Sequence, residues 1–300
     1  MPQAVVYDDE AFRAGGAVPP SAWESNGTGA VIHAFHHAYW GDWKFEVNEH
    51  NKANATLHFG RGGFQEARGS CGHGGHDWMV ENVKDLLDHH EEWWLDDEQG
   101  VLYHFPNVTA GSESEESATT YVASMLDTLI AVNGSMVAPA RNIHISSLAL
   151  AHAAPTYMGD YEVPSAGDWS IHRGGAVYIE GAENVSVSSC LFDQSGGNGV
   201  CVSRYARDVV ISNNEMHRIG DTGVVVVGDL KYDTETPWLH VDGNYPVRTI
   251  VQDNFIHELG VFTKQTAGFF QALAAQSTVS NNIIINGPRS AINFNDAAFG

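Results

Sequence analysis

The second half of the chain places acidic, basic and amide side chains at matching positions just before a series of short apolar strands. Asp221 is the carboxylate of this group, and we predict it as acid, base or nucleophile, with His172 as a second catalytic residue. The other members could bind sugar hydroxyl groups: Arg173, Asn198, Lys264, Gln265 and Arg289. A carboxylate between two arginines is a constellation that can bind a sugar and protonate it.

Glycoside hydrolysis usually requires a second carboxylate, close to the first for retention of configuration and farther away for inversion. Asp168, Asp193 and a residue beyond Gly300 are the candidates, and the sequence does not choose among them. A structural interpretation stays open, in which Asp221 and Arg289 cap turns and form a surface ion pair of small energetic consequence.

A second polar group falls at the far end of the same strands. It contains Glu180, Arg204, Asn293 and Asp296, and we include the last three among the substrate-binding residues. Asn293 to Asp296 could also bind a cation such as calcium, although we expect no cofactor. Stacked asparagines that bond from coil to coil explain such residues equally well.

Two further clusters contain side chains of the kinds that bind metal ions. Asp193, His217 and His257 fall in one column, which could bind a metal or relay protons. Cys71-Gly-His-Gly-Gly-His76 offers three ligands, but a structural zinc site needs four and no partner pair follows. We favour structural turns for both clusters and predict no metal site.

These columns follow from an internal repeat, which is the strongest signal in the sequence. Its anchor strands begin at Ile145, Val187, Ile211, Val251 and Val279. The shortest spacing between anchors is 24 residues, which is the length of one coil, and longer spacings carry insertions. The clearest insertions are Tyr157–Trp169 and Lys231–Pro246, and Trp169 and Trp238 could wall a substrate groove there.

Each coil carries further matching features after its anchor. Asn214, Asn254 and Asn282 come three residues later and predict an asparagine ladder. A second strand follows a small residue, as in Gly199-Val-Cys-Val and Gly223-Val-Val-Val-Val. Short apolar strands of this kind gain parallel neighbours and a shared core only when the coils stack. We therefore predict an all-β fold, a parallel β-helix solenoid.

The first half of the chain is less regular. Residues 1–120 predict an irregular β-rich region or insertion packed on the solenoid, with strands at Ala30–Glu46 and Ala55–Phe64 and a hairpin around Asp96–Gly100. Residues 121–300 predict regular coils that start with a strand at Met125–Val132. Because the chain stops in the middle of a coil without a cap, we expect the solenoid to be truncated at its C-terminus.

Composition excludes some partners. Lys plus Arg is 15 and Asp plus Glu is 37, so the net charge of −22 repels nucleic acid and disfavours polyanionic glycans unless a basic patch or cation intervenes. No run of 18 apolar residues predicts a membrane span. Glycosylation sequons favour a secretory route, although no signal peptide is visible: they start at Asn26, Asn54, Asn107, Asn133 and Asn184.

Several stretches together resemble a known family. They are Gly62-Gly-Phe-Gln-Glu-Ala-Arg-Gly69, Glu81-Asn-Val, Gly167–Ala176, Gly197-Asn-Gly-Val, Ser203-Arg-Tyr, Gly220-Asp-Thr-Gly223, Lys264-Gln265 and Pro288–Asp296. This set resembles secreted, right-handed, pectin-lyase-like β-helix proteins of bacteria and marine algae. They are related to β-helix glycoside hydrolases that cut xylan-like or fucose-containing glycans. One departure is that His89 and His90 follow Leu87-Asp88, where the family usually has a Pro-Gly turn.

The resemblance implies a right-handed fold and a carbohydrate-active protein, secreted or on the cell surface. We predict a monomeric glycoside hydrolase that acts on a cell-wall or algal polysaccharide or on oligosaccharides. A polysaccharide lyase is the first alternative, with Lys264, Arg289 and Arg173 as base and neutralising groups. A non-catalytic glycan-binding or cell-surface module is the second, since a fold does not imply a function.

Overall fold

A computed structural model of the chain describes residues 2–36, 39, 41–65, 77–96, 99–106, 120–164, 169–229 and 243–295. The chain divides into two compact units. The first comprises Met1–Tyr39, Trp43–Gly63 and Gly69–Val122, and the second comprises Trp40–Asp42, Phe64–Arg68 and Ala123–Gly300. Four of the predictions lie outside the described residues, namely those on Cys71–His76, Asp168, Trp238 and Asp296.

The first unit is built on a five-stranded antiparallel sheet. In chain order its elements are β1 (Ala4–Val6), α1 (Asp9–Ala14), β2 (Val31–Phe35), β3 (Asp42–Asn51), β4 (Thr56–Gly62) and β5 (Trp78–Glu81), with the sheet order β1-β4-β3-β2-β5. Short 3₁₀ turns occupy Pro20–Ala22, Lys52–Asn54 and Lys84–Leu86. The predicted strand at Ala30–Glu46 is therefore wrong as a single element, because β2 and β3 divide it.

The predicted hairpin around Asp96–Gly100 is confirmed. It pairs β6 (Trp93–Asp96) with β7 (Val101–His104) in antiparallel register. Gly100 has a φ of +64°, a backbone conformation that glycine adopts without strain at the turn. The sheet of the first unit packs around Trp23, Ile32 and Leu57, whose side chains are fully buried.

The second unit is a parallel β-helix. Its strands in chain order are β8 (Ile130–Asn133), β9 (Ala140–Ser146), β10 (Ala149–Ala151), β11 (Val177–Ser188), β12 (Leu191–Asp193), β13 (Val200–Ser212), β14 (Glu215–Ile219), β15 (Val224–Val227), β16 (Pro246–Val247), β17 (Ile250–Gln252), β18 (Phe255–Leu259), β19 (Ala267–Ala272), β20 (Thr278–Ser280), β21 (Ile283–Ile285) and β22 (Ser290–Phe294). The predicted strand at Met125–Val132 begins only at Ile130.

The helix has three faces of parallel strands, of which the first two belong to one ten-stranded sheet and the third is a sheet of five strands. The first face stacks β8, the first half of β11, the first half of β13, β15, β19 and β22. The second face stacks β9, the later halves of β11 and β13, β17 and β20. The third stacks β10, β12, β14, β18 and β21. The long strands β11 and β13 bend from the first face to the second.

The predicted repeat register is confirmed on the second face. Val187 pairs with Ile145 on one side and Ile211 on the other, and Val251 pairs with both Ile211 and Val279. These side chains point inward and join one core that runs along the coils. Full burial of an aliphatic side chain contributes roughly 1.5–3 kcal/mol, so each coil adds several such contributions.

The predicted asparagine ladder is also confirmed. The side-chain oxygen of Asn254 accepts hydrogen bonds from the backbone N–H of Asn214 and from its side-chain amide, both at 3.0 Å. Asn282 receives the same two bonds from Asn254, at 3.0 and 2.9 Å. The ladder satisfies buried backbone groups at the turn between the second and third faces.

The outer side of the first face is covered in its middle by the segment that precedes β11. Trp169 and Ile171 from this segment are 2% exposed and pack with Cys201, Val225 and Phe270 on the strands. Trp169 stacks on Phe270 at 5.8 Å between ring centroids. The cover therefore shields the middle of the first face from solvent. Among the described residues, no helix has the length and apolar character of a membrane crossing.

Candidate functional site

A chain of ionised and hydroxyl side chains runs across the first face where its strands end. We name it the outer carboxylate network, and its members are Glu162, Arg173, Glu180, Ser203, Arg204 and Asp229. Its three carboxylates are 26% to 41% exposed, so solvent and a solute can reach them.

Strand alternation aims Glu180 outward. Val177 and Ile179 on β11 point into the core, so Tyr178 and Glu180 between them lie on the outer side. Ser203 pairs with Glu180 on the next coil, and its hydroxyl donates to the Glu180 carboxylate at 2.7 Å. The register then shifts after Glu180, and Arg204 has a φ of +48° at this irregularity.

Arg173 joins the segment before β11 to the strand ends of two coils. Its Nε donates to Glu162, and its Nη1 donates to the Ser203 hydroxyl at 2.9 Å. The same guanidinium reaches the carbonyl oxygens of Val227 at 3.3 Å and Gly228 at 2.9 Å. Arg173 is only 11% exposed, so these four acceptors satisfy a cation that is nearly removed from water.

Arg204 bridges two carboxylates. Its Nη1 lies 3.0 Å from one oxygen of Glu180 and 3.2 Å from the other. Its Nε lies 3.4 Å from Asp229. Because one guanidinium contacts both groups, the contacting oxygens are at most about 9 Å apart, which does not exceed the largest separation of carboxylate pairs in glycosidases.

The donors around Glu180 favour its ionised form. Burial by itself raises the pKa of Glu180, but hydrogen bonds from the Tyr178 and Ser203 hydroxyls and the charge of Arg204 outweigh it. The pKa of Glu180 therefore lies below its usual value. A carboxylate held in this way suits a nucleophile or a general base better than a proton donor.

Both large insertions supply residues to the network. Glu162 belongs to the first, where its backbone pairs with Ile171 through two hydrogen bonds of 2.9 Å. Asp229 precedes the second, and its N–H donates to the carbonyl oxygen of Asn244 at 3.0 Å. The Asn244 amide also donates to the Asp229 carboxylate at 3.1 Å. The network therefore lies where two departures from the repeat meet the same strand ends.

A family model described as "Right handed beta helix region" matches residues 130–299, which is more than half of the chain. The chain belongs to the right-handed β-helix family. This membership confirms the predicted fold class and the predicted hand of the solenoid.

A solved structure named "Glycoside hydrolase" is similar to this β-helix protein, with a TM-score of 0.61 and 17% sequence identity. The likeness covers 84% of this chain and 50% of that chain, so this β-helix protein spans half the length of its neighbour. At this identity the likeness concerns the fold. The comparison with curated protein sequences found no match.

The structure places the predicted site residues of this β-helix protein in three different settings. Asn198 and Gln265 are 1% and 2% exposed, so the prediction that they line a surface strip is wrong. The Asn198 amide donates to the carbonyls of His172 and Gly174 at 2.9 and 2.8 Å, in a ladder like that of the other asparagines. Gln265 accepts from the N–H and the hydroxyl of Ser170 at 3.0 and 3.1 Å.

Asp221 is also buried, at 3% exposure, which corrects its predicted place on the surface. The Tyr161 hydroxyl donates to its carboxylate at 2.7 Å, and burial together with this carboxylate raises the pKa of Tyr161 well above its usual value. His172 lies beside the pair, with 5.7 Å between its ring centroid and that of Tyr161, and its Nδ1 is 2.7 Å from the Asp160 carbonyl. The catalytic roles of Asp221 and His172 stay predictions.

The remaining predicted binding residues are spread along the first face. The ammonium group of Lys264 donates to the carbonyls of Gly260 and Val261 at 2.6 and 3.0 Å. Arg289 is exposed and lies over the ring of Trp169 at 4.7 Å, so Trp169 forms no open groove wall. Asn293 is half-buried on β22, next to Phe270 in register. Arg204 belongs to the network, as does Arg173.

Arg173 does not lie in the predicted column, because its coil pairs with the next coil one residue away from the predicted register. The sequence alignment placed Gly175 beside Gly199, but Val177 pairs with Val200, which places Ala176 beside Gly199. A shift of one residue turns every side chain of a strand to the other side. Arg173 therefore points along the outer face to Glu162 and Ser203.

The predicted column of Asp193, His217 and His257 is confirmed as a stack on the third face. The two imidazole rings are 4.7 Å apart at an angle of 21°, and Asp193 lies 3.1 Å from Nδ1 of His217. Nearly parallel rings direct their nitrogen lone pairs in parallel planes, so they do not converge on one ion. This geometry supports the structural interpretation of the column.

The sequence reasoning missed the network residues Glu162 and Asp229 and also Asn244, which donates to Asp229. All three belong to segments between repeats or at their edges, where no periodic pattern predicts the direction of a side chain. The available signal was position, since these polar residues flank the two insertions. A further group of Asp88, His89 and Glu92 could contribute metal ligands in the first unit, but its residues are largely exposed.

Proposed function

We propose that this right-handed β-helix is a glycoside hydrolase and that the outer carboxylate network is its active site. The observation that carries the proposal is the pair of partly exposed carboxylates, Glu180 and Asp229, which Arg204 bridges, since glycosidic cleavage uses two carboxylates. The fold similarity to a structure named "Glycoside hydrolase" adds support. The substrate class is a polysaccharide or an oligosaccharide of cell-wall or algal origin, reached by a secreted monomer.

The two carboxylates take different roles in this proposal. Glu180 stays ionised, because Tyr178, Ser203 and Arg204 favour its charged form. It attacks the anomeric carbon or removes a proton from the attacking water. Asp229, which contacts the same guanidinium, takes a proton from solvent and passes it to the glycosidic oxygen as the carbon–oxygen bond breaks. Asn244, which is half-buried beside Asp229, offers an amide that can bind sugar hydroxyl groups.

A polysaccharide panel with two measurements tests the reaction class. New reducing ends without ultraviolet absorbance from unsaturated uronides support hydrolysis, whereas both signals together identify a lyase. Glycan binding without either signal identifies the non-catalytic module. Each of the last two results contradicts the proposal. Proton nuclear magnetic resonance of the first product then reports retention or inversion of configuration.

Substitutions test the site. Glu180→Gln and Asp229→Asn should each lower kcat by at least about a hundredfold, the usual effect of losing a positioned acid or base. Asp208→Asn is the matched control, because Asp208 is an exposed carboxylate bound by Arg248 at 2.6 and 2.7 Å on the second face. Asp221→Asn in the same series tests the predicted catalytic role of Asp221. Full activity in both network variants would place the chemistry elsewhere.

A further inference from the structure

The charges of the outer carboxylate network do not balance. It contains three carboxylates, Glu162, Glu180 and Asp229, but only two guanidinium groups. Its hydroxyl member, Ser203, adds no charge. An anionic group that enters this site therefore meets an excess of negative charge.

Both guanidinium groups already have acceptors. Arg173 uses Nε, Nη1 and Nη2 for Glu162, Ser203 and the carbonyls of Val227 and Gly228. Arg204 directs Nη1 to Glu180 and Nε to Asp229. To pair with a uronate or a sulfate, Arg173 would have to leave an acceptor that it now holds, and Arg204 would have to divide its single charge among Glu180, Asp229 and the anion.

The sequence of the chain is acidic as well. Residues 230–242, which connect Asp229 to Gly243, contain one lysine and three acidic residues. The chain as a whole carries a formal charge of −22. A field of this sign lowers the local concentration of anionic polymers and leaves neutral polymers unaffected.

We propose that the network takes a neutral glycan, recognised through its hydroxyl groups, and discriminates against uronate-bearing and sulfated glycans. This inference rests on the proposed function, because it assigns the substrate class of the same site. The carboxylates accept hydrogen bonds from sugar hydroxyls, while Tyr178, Ser203 and Asn244 lie among them as polar neighbours. Discrimination arises from like-charge repulsion at the carboxylates.

The test uses pairs of soluble polymers that share a backbone and differ in charge. Hydroxyethyl cellulose is paired with carboxymethyl cellulose, laminarin with laminarin sulfate, and arabinoxylan with glucuronoxylan. Binding is measured by affinity electrophoresis and cleavage by new reducing ends. For the backbone that the protein recognises, we expect the neutral member to be preferred by at least about tenfold at low salt. The preference should shrink at high salt, because the repulsion is screened.

A variant tests the origin of the preference. Glu162→Gln removes one carboxylate and releases Arg173 from its ion pair, so the preference for the neutral member should narrow by at least about threefold. Glu183→Gln is the matched control, because Glu183 pairs with Arg141 on the second face at 2.7 Å. The control should keep the preference of the native protein.

The outcomes separate this inference from the function on which it rests. If the protein cleaves the charged members equally well or better, the inferred preference for neutral glycans is wrong, but the proposed hydrolase activity is supported. Preferential binding of neutral members without cleavage supports the class and contradicts the hydrolase. Failure to bind any neutral member overturns the class, as does an unchanged preference in Glu162→Gln.

Discussion

Replacing Tyr178 with phenylalanine tests whether hydroxyl donors keep Glu180 ionised. The Tyr178 hydroxyl donates to the Glu180 carboxylate, beside the Ser203 hydroxyl and the Arg204 guanidinium. The variant removes one donor and retains the ring, which packs against the cluster around Trp169. The carboxylate is 26% exposed, so water replaces the lost donor only in part.

The expected size follows from the strength of one such bond. A hydrogen bond to a charged group contributes roughly 1.5–3 kcal/mol, and partial replacement by water favours the lower end of this range. One pKa unit corresponds to about 1.4 kcal/mol, so the pKa of Glu180 should rise by about one unit. Because the native pKa of Glu180 lies below its usual value, its ionised form stabilises the fold above the unfolded-state pKa. That contribution is lost as the pH falls, and in the variant it is lost at higher pH.

Two measurements check this expectation. The acidic limb of kcat/KM against pH, on any glycan that the protein cleaves, should move upward by about one pH unit. Carbon-13 titration of labelled glutamate carboxyl groups reports the same shift without catalysis. Tyr205→Phe is the control, since Tyr205 donates to Glu183 in the same manner on the second face. An acidic limb that stays in place, or that moves equally in the control, would refute the reasoning.

Three further substitutions test how the coils hold the site. Asn254→Ala leaves the N–H of Asn214 without its ladder acceptor and should cost about 2–4 kcal/mol in urea unfolding, against less than about 0.5 kcal/mol for Asn133→Ala on the exposed side of β8. Arg173→Ala should cost about 3 kcal/mol in the same assay, because it leaves buried acceptors unpaired. Gly220→Ala would place a Cβ 2.1 Å from the carbonyl oxygen of Gly196, and circular dichroism should report an unfolded or strongly destabilised protein.

The coils could be predicted from the sequence because their constraints are local and repeated. Each anchor strand directs alternate apolar side chains inward, and each ladder asparagine must meet the next coil at the same turn. Val187, Ile211 and Val251 are therefore in the predicted register. The stacked column of His217 and His257 follows from the same spacing.

One register decision was beyond the sequence. Gly175 and Ala176 are both small enough for the position before the strand, and either choice leaves apolar residues pointing inward somewhere along β11. The backbone pairing selects Ala176 as the neighbour of Gly199, since the N–H of Val177 donates to the Gly199 carbonyl at 3.0 Å. This difference of one residue changes the neighbours of Arg173.

The exposure of the predicted catalytic corner was also beyond the sequence. A repeat predicts which side chains point away from the core, but an insertion decides which of them reach solvent. Tyr161 covers Asp221, and Trp169 covers the outer side of Phe270. Both covering residues come from a segment without periodicity, so no count along the coils could place them.

The same reasoning explains where the chemistry of this β-helix is expected. Stacked coils give a rigid surface, and repetition leaves it with few strongly convergent polar groups. Polar side chains converge where an insertion meets the strand ends. Glu162 contacts Arg173, which also binds Ser203, and Asp229 contacts Arg204. Arg173 ties one insertion to two coils through four acceptors, so the carboxylates are held by the fold and not by the insertions alone. A change of insertion sequence should therefore alter the glycan that is bound while the coils remain folded.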